Sequence, residues 1–112
     1  MIYTIEEIKK RIEPVAKQYR LNAVYIFGSY ARNEATETSD VDILVDRAGS
    51  IVKDGFDMGG LYEDLSSYLG KEIGLITLQT LEQKNTQEQS PWFVQNVRSE
   101  MIKIWGEDND LL

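Results

Sequence analysis

Two apolar runs, each with a polar motif at one end, decide the fold: Ala23-Val24-Tyr25-Ile26-Phe27-Gly28-Ser29 and Asp40-Val41-Asp42-Ile43-Leu44-Val45-Asp46. Short apolar runs bounded by glycine or polar residues are typical of buried strands. The first run therefore predicts a strand over residues 23–27 that stops at Gly28, followed by the first turn of a helix over 29–33. The second run predicts a strand over residues 40–46.

Helical signals flank these two strands. Thr4 and Glu7 have the spacing of a capping box, and Pro14 should kink or break the following helix near Glu13. The other predicted elements are a helix on Leu61, Leu65, Tyr68 and Leu69 that ends at Gly70, a strand over 72–78, a short helix within 79–89, and a last helix from Ser90-Pro91 to about Trp105.

The order α-β-α-β-α-β-α predicts an α/β (α+β) fold, in which helices flank one small mixed sheet of three to four strands. A chain of 112 residues forms one domain, which we place at residues 1–106. Residues 107–112 should form a frayed tail.

The amino-acid composition limits the functional groups that are available for catalysis and metal binding. The chain has no cysteine and no histidine, which excludes disulfides, imidazole bases and most zinc sites. Acid–base and metal chemistry must then use carboxylates, which prefer Mg²⁺ or Mn²⁺. A net charge of −7 argues against binding bulk nucleic acid, although it could serve only solubility. No apolar run approaches the roughly 20 residues that span a bilayer, so we expect no membrane partner. The absence of cysteine fits a cytoplasmic protein, which is the location we expect.

Gly28-Ser29 is the first candidate functional motif. A strand ends there, a glycine allows close backbone approach, and a helix begins. Backbone N–H groups in such a turn attract phosphate oxygens, and the Ser29 hydroxyl adds a donor. A Gly-Ser pair alone is weak evidence for a phosphate site, since most such pairs form ordinary turns. The chain has no Walker-type motif, so this is not a P-loop.

Asp40 and Asp42 are the second motif. Residues i and i+2 of a strand point to the same face, roughly 6.5 Å apart. Two carboxylates on one face of an otherwise apolar strand repel each other and resist burial, and a divalent cation is the simplest compensation. A pair at an exposed strand end, or one acid capping a turn, is the alternative. The Gly-Ser turn upstream favours a site for a nucleoside triphosphate and its metal.

The segments 24–34 and 39–45 together resemble the signature of the DNA polymerase β-like nucleotidyltransferase superfamily. They are most similar to the minimal, single-domain nucleotidyltransferases that act as antitoxins beside HEPN-domain toxins. The similarity extends through 65–81 and 90–105, and so covers about residues 3–106. It implies the fold of that superfamily. It also implies transfer of AMP from ATP to a protein hydroxyl, such as a tyrosine or serine of a cognate HEPN toxin.

The resemblance further implies roles for individual residues. Gly28 and Ser29 would hold the β- and γ-phosphates. Asp40 and Asp42 would be the catalytic carboxylates that coordinate one or two Mg²⁺ (or Mn²⁺) ions. Arg32 could pair with phosphate or with the acceptor, because its planar fork suits phosphate. Alternatively, Arg32 forms a structural ion pair with a nearby acid.

One position departs from the family's pattern. The family's third carboxylate lies on the third strand, where this chain has Gly74. Losing a general base typically costs about 10²–10⁴ in rate. Glu72 lies on the same strand face as position 74 and could substitute for it. Asp46, roughly 13 Å from Asp42 along the strand, should be too far. Asn33, where many relatives have glycine, tolerates positive φ.

Three functions therefore stay open. The first is active transfer of AMP to a protein. The second is a catalytically impaired antitoxin that keeps the fold and neutralises a toxin by contact. The third is transfer to a small molecule, for which such enzymes usually carry a second domain. Trp92, Phe93 and Trp105 could anchor a partner, although core packing of the last helix is the interpretation we favour. The sequence leaves the acceptor, the nucleotide base, the metal count and the oligomeric state open.

Overall fold

The computed structural model describes residues 1–106, so the tail predicted at 107–112 lies outside the described residues. The elements are α1 (Ile5–Tyr19), β1 (Ala23–Phe27), α2 (Gly28–Ala31), β2 (Val41–Asp46), α3 (Gly55–Leu69), β3 (Ile73–Thr77), α4 (Leu78–Leu81), α5 (Lys84–Gln89), α6 (Pro91–Glu100) and β4 (Ile102–Gly106). The predicted capping box begins α1: Glu7 N–H donates to Thr4 Oγ1 at 3.1 Å, and Thr4 N–H donates to the Glu7 carboxylate at 2.8 Å.

The strands form one mixed sheet in the order β3-β2-β1-β4. β1 pairs antiparallel with both β2 and β4, whereas β2 and β3 are parallel. The predicted fold class, a small mixed sheet flanked by helices, is confirmed. The central strands β1 and β2 carry the two motifs, so each motif lies at one end of a strand that has neighbours on both sides.

Each face of the sheet has its own helical cover, because side chains alternate along a strand. One face packs on α1 and α3, through Val24, Ile26, Val41, Ile43 and Val45 of the strands. The other face carries Phe27 and Leu44, which pack with Val94 and Val97 of α6. Asp42 lies two residues before Leu44 and therefore projects from the face that α6 covers.

The end of the described chain corrects one prediction. The last helix stops at Glu100 and does not continue to Trp105, because Met101 is extended (φ −65°, ψ 141°) and residues 102–106 form β4. The apolar residues of this segment fit a helical period and a strand period alike. The edge of β1 decides between them, since its backbone N–H and C=O groups need partners and β4 supplies them.

α1 runs through Pro14 as one helix, so of the kink or break predicted near Glu13 the break does not occur. Ile12 and Val15, on either side of the proline, are fully buried in the same core cluster. Tertiary packing therefore holds both halves in one helix. Elsewhere the predicted strands are right to within one residue at each end, and the polar stretch after β3 contains two short helices, α4 and α5. Within residues 1–106 no helix has the length and apolar character needed to cross a membrane.

Candidate nucleotide and metal site

The turn between β1 and α2 packs directly against Asp42. Gly28 has φ +71°, and a Cβ added there would lie 2.1 Å from Asp42 Oδ2. A side chain at position 28 would therefore meet both a strained backbone and a collision. Ser29 follows in the first turn of α2. Asn33, two residues after α2, takes the positive φ of 60° that the sequence allowed for.

Asp40 and Asp42 lie at the start of β2, beside this turn. Asp40 is exposed, whereas Asp42 is half-buried. Burial raises the pKa of Asp42 and the charge of Asp40 raises it further, while Arg32 lowers it and Glu100 adds to the rise. The ionised Asp42 is therefore short of neighbouring positive charge. A divalent cation with oxygen ligands fits this donor set, because Mg²⁺ binds through one or two carboxylates and completes its shell with water and phosphate.

The candidate residues line one cleft of about 390 Å³. Its walls are Phe27, Gly28, Ser29, Arg32, Ser39, Asp40, Asp42, Phe93, Asn96, Val97 and Glu100. The five residues singled out from the sequence, Gly28, Ser29, Arg32, Asp40 and Asp42, are thus brought together. Their individual roles stay a prediction. Helix α6 forms the opposite wall, which the sequence did not indicate.

Arg32 is engaged by two acids. Its Nε lies 2.8 Å from Glu34 Oε1, and its Nη1 lies 2.9 Å from Glu100 Oε2. The alternative interpretation of Arg32, an ion pair with a nearby acid, therefore describes the structure. Because the guanidinium also lines the cleft and is 46% exposed, a phosphate role stays open to it.

Glu100 is the site residue that sequence reasoning missed. Its carboxylate accepts a hydrogen bond from the Gly28 N–H, in addition to its contact with Arg32. It is the last residue of α6, on the helix face that also carries Phe93, Asn96 and Val97 into the cleft. The helical spacing of 93, 96, 97 and 100 was readable from the sequence. Nothing local indicated that this face meets Gly28, 72 residues earlier.

Gly74 is the position at which the resemblance leads us to expect a third carboxylate. In the parallel pairing of β2 and β3, Gly74 is in register with Asp42. Among residues 1–106 no group of three or more Asp, Glu, His or Cys side chains is placed to hold a metal ion. Asp46 does not fill the gap, since Asn22 and Gln79 donate to it at 2.7 and 2.8 Å. Burial alone would raise the pKa of Asp46, but these hydrogen bonds outweigh burial, and the pKa lies below the usual value for aspartate.

A second cleft, of about 400 Å³, adjoins the first and shares Ser39 and Asp40 with it. Glu72 lines this second cleft. Val41 pairs with Ile73 in the parallel register, so Glu72 is the residue beside Asp40 just before the strands begin. The Glu72 side chain is exposed. This places a carboxylate near Asp40, on the side of the site that faces away from Gly28.

The C-terminal aromatic residues divide between core and surface. Phe93 is partly buried and packs edge-to-face on Phe27, with ring centroids 6.3 Å apart. Trp105 packs partly buried against the larger core cluster. Trp92 is 66% exposed, which corrects the core interpretation for this residue. Its ring centroid lies 6.2 Å from that of Phe93, which lines the first cleft.

Comparison with known proteins identifies the family. The chain matches "Polymerase beta, Nucleotidyltransferase" over residues 10–109, and it belongs to this family of nucleotidyltransferases. A candidate protein adenylyltransferase of Methanocaldococcus jannaschii is 42% identical over 77 residues, which cover 69% of this chain and 81% of that protein. Protein adenylyltransferase MntA of Thermococcus cleftensis is 36% identical over 85 residues, which cover 70% of this chain and 82% of that protein.

The fold has solved counterparts. One is a structure of a tri-AMPylated Shewanella oneidensis HEPN toxin in complex with an MNT antitoxin. The match has a TM-score of 0.63 and 22% identity, and covers 95% of this chain and 76% of that one. At this identity the likeness is one of fold, and it agrees with the mixed sheet described above.

Proposed function

We propose that this protein transfers AMP from Mg-ATP to a hydroxyl of a protein acceptor. The observation that carries the proposal is the convergence of the Gly28-Ser29 turn with Asp40 and Asp42 on one cleft. A turn that binds phosphates and carboxylates that hold their metal ion are the parts that this reaction needs. The family and the relatives named protein adenylyltransferases support the choice of reaction.

Each residue has a defined task in this proposal. The Ser29 hydroxyl and the Gly28 N–H donate to oxygens of the triphosphate, and Arg32 neutralises part of its charge. Asp40 and Asp42 hold the Mg²⁺ or Mn²⁺ ion, which when bound stabilises the charge on the phosphates. The acceptor oxygen bonds to the α-phosphorus, the bond from that phosphorus to the α–β bridging oxygen breaks, and pyrophosphate leaves with the electron pair.

The acceptor enters through the second cleft, which reaches Asp40 from the side opposite the Gly28 turn. Glu72 is the carboxylate available on that side, beside Asp40 in the strand register. With glycine at position 74, Glu72 is the group that takes the proton of the acceptor hydroxyl. A displaced base of this kind supports turnover at a lower rate than a base held at position 74.

The proposed acceptor and partner is a HEPN-domain toxin, for which this protein acts as the antitoxin. The resemblance of the two motifs to minimal antitoxin nucleotidyltransferases supports this choice. So does the relative named MntA, and the fold is shared with the antitoxin complex of an AMPylated HEPN toxin.

The test is an adenylylation assay with ATP labelled at the α-phosphate, Mg²⁺ and the protein encoded next to this gene. Mass spectrometry of the partner should show AMP on a tyrosine or serine. The matched control is Asp42→Asn, which should leave the partner unlabelled. If the partner carries no AMP while Mg-ATP binding is measurable, the transferase proposal fails.

A second candidate is an antitoxin that binds Mg-ATP without turnover and acts by contact. Two observations favour this candidate. Gly74 leaves the position opposite Asp42 without a carboxylate, and Trp92 is exposed. The same assay separates the two candidates. Binding of the partner with no label supports contact alone, whereas label that depends on Asp42 supports transfer.

A further inference from the structure

We propose that the Glu100 carboxylate competes with the nucleotide for the Gly28 N–H and for Arg32, so that Mg-ATP must displace it in order to bind. This inference rests on the proposed function, because it assigns a regulator to the same cleft. Glu100 then sets the affinity for nucleotide and the end of α6 senses nucleotide binding.

The contacts of Glu100 are those that a phosphate oxygen would make. A single oxygen, Oε2, accepts from the Gly28 N–H and lies 2.9 Å from Arg32 Nη1. Charge-assisted hydrogen bonds to a backbone N–H and to a guanidinium are the pair of interactions that recognise phosphate. The side chain is also well covered, with 17% of its surface exposed. One donor set therefore cannot serve both the carboxylate and the triphosphate.

Charge adds to the competition between the two occupants. Asp40, Asp42 and Glu100 are the carboxylates among the residues that line the cleft, and Arg32 is the cation among the same described residues. Glu100 is close enough to Asp42 for the two charges to repel. A triphosphate would add further negative charge beside them. Displacement of Glu100 removes one repulsion and frees two donors in the same movement.

A purely orienting role for Glu100 is the competing explanation. Arg32 has an independent anchor, because its Nε is held by Glu34 at 2.8 Å. The guanidinium thus keeps a partner when Glu100 leaves. Glu100 is also the last residue of α6, and Met101 after it is extended, so the side chain lies at the junction of α6 with β4. Both features allow Glu100 to move away while the rest of the site stays in place.

The experiment is isothermal titration of the full chain with Mg²⁺ and a non-hydrolysable ATP analogue. Glu100→Gln keeps an oxygen that can accept from the Gly28 N–H but removes the charge, and it should bind roughly 3- to 30-fold more tightly than the wild type. Glu34→Gln is the matched control, since it removes a charge from the same guanidinium without touching Gly28. Its effect should be smaller than that of Glu100→Gln.

The amide resonance of Gly28 gives a second readout. It should shift on Glu100→Gln in the absence of nucleotide, and the wild-type and variant spectra should converge at saturating analogue. Weaker or equal binding by Glu100→Gln would overturn the competition and assign Glu100 an orienting role. A wild type that binds no Mg-ATP analogue at all would instead refute the proposed function, and the competition with it.

Discussion

Gly74 lies directly opposite Asp42 in the parallel β2–β3 pair, and a Cβ on Gly74 would lie 2.6 Å from Asp42 Oδ1. Asp42 is therefore enclosed by two glycines, with Oδ2 against Gly28 and Oδ1 against Gly74. The backbone explains only the first of them, since Gly28 has positive φ and Gly74 does not. Gly74 is thus open to replacement, provided that the tip of Asp42 moves aside.

Gly74→Asp should restore a third carboxylate to the metal site. We expect tighter Mg²⁺ binding and faster AMP transfer, by about 10-fold or more, because the new acid adds a ligand and a base. In the absence of metal the variant should be less stable than the wild type, since a third charge joins a repelling pair. Thermal unfolding with and without Mg²⁺ and the adenylylation assay measure both effects. Gly74→Ala, which adds the crowding without the charge, should gain no activity.

Asp42→Asn should abolish Mg²⁺-dependent ATP binding. It should also raise the metal-free melting temperature by about 2–5 °C. Because the pKa of Asp42 is raised in the folded protein, its contribution to stability is present at acidic pH and lost as pH rises through that pKa. Asparagine removes this cost at neutral pH. Mg²⁺ with ATP should stabilise the wild type and not the variant. An equal Mg²⁺ response in both proteins would refute the metal assignment.

Glu72→Gln tests the base on the acceptor side. The rate of AMP transfer should fall by about 10- to 100-fold, because the acceptor hydroxyl loses its proton acceptor. The dissociation constant of Mg-ATP should stay close to the wild-type value, since Glu72 lines the other cleft. Glu37→Gln is the matched control: it removes an exposed acid from the same cleft and should leave the rate near normal. Equal losses in the two variants would mean that Glu72 acts only through the charge of the cleft.

Trp92→Ala should weaken binding of the partner protein by about 10- to 100-fold, because exposed tryptophans at an interface often carry much of its energy. Trp92 contacts Phe93, which lines the nucleotide cleft. Its exposure also means that the melting temperature should hardly change. Phe56→Ala on α3, where the side chain is 90% exposed, serves as the control. Partner affinity that falls more with Phe56→Ala would move the interface to α3.

Tyr19 should make stability depend on alkaline pH. Its hydroxyl donates to Asp64 Oδ2 at 2.6 Å and joins α1 to α3. That hydrogen bond, together with burial and nearby acids, raises the pKa of Tyr19 to about 12. The Tyr19 hydrogen bond therefore contributes fully to the free energy of unfolding below about pH 10, the usual tyrosine pKa. This contribution is lost as the pH rises toward 12. Urea unfolding should show that the free energy of unfolding falls less between pH 9 and pH 11 in Tyr19→Phe than in the wild type.

Local sequence determined a large part of this protein. The run from Ala23 to Phe27 and the apolar residues between Asp42 and Asp46 have patterns typical of buried strands, and both strands are present. The sequence indicates a turn at Gly28 because the apolar run stops there and the first turn of a helix is predicted to follow. Position 74 was readable as a missing acid because the motif resemblance extended into β3. The strands and the turn follow from residues within one element or its immediate flank, whereas the missing acid at position 74 rests on the resemblance to the family.

Tertiary structure decided what depended on distant partners. Residues 102–106 form β4 because the edge of β1 offers backbone partners, which no local period reveals. The helix α1 continues through Pro14 because the core contacts of Ile12 and Val15 outweigh the cost of the proline. Glu100 reaches Gly28 only because α6 covers the face from which Asp42 projects. A contact such as that between Gly28 and Glu100, 72 residues apart in sequence, depends on how the helices pack on the sheet, and this packing is set by the whole chain.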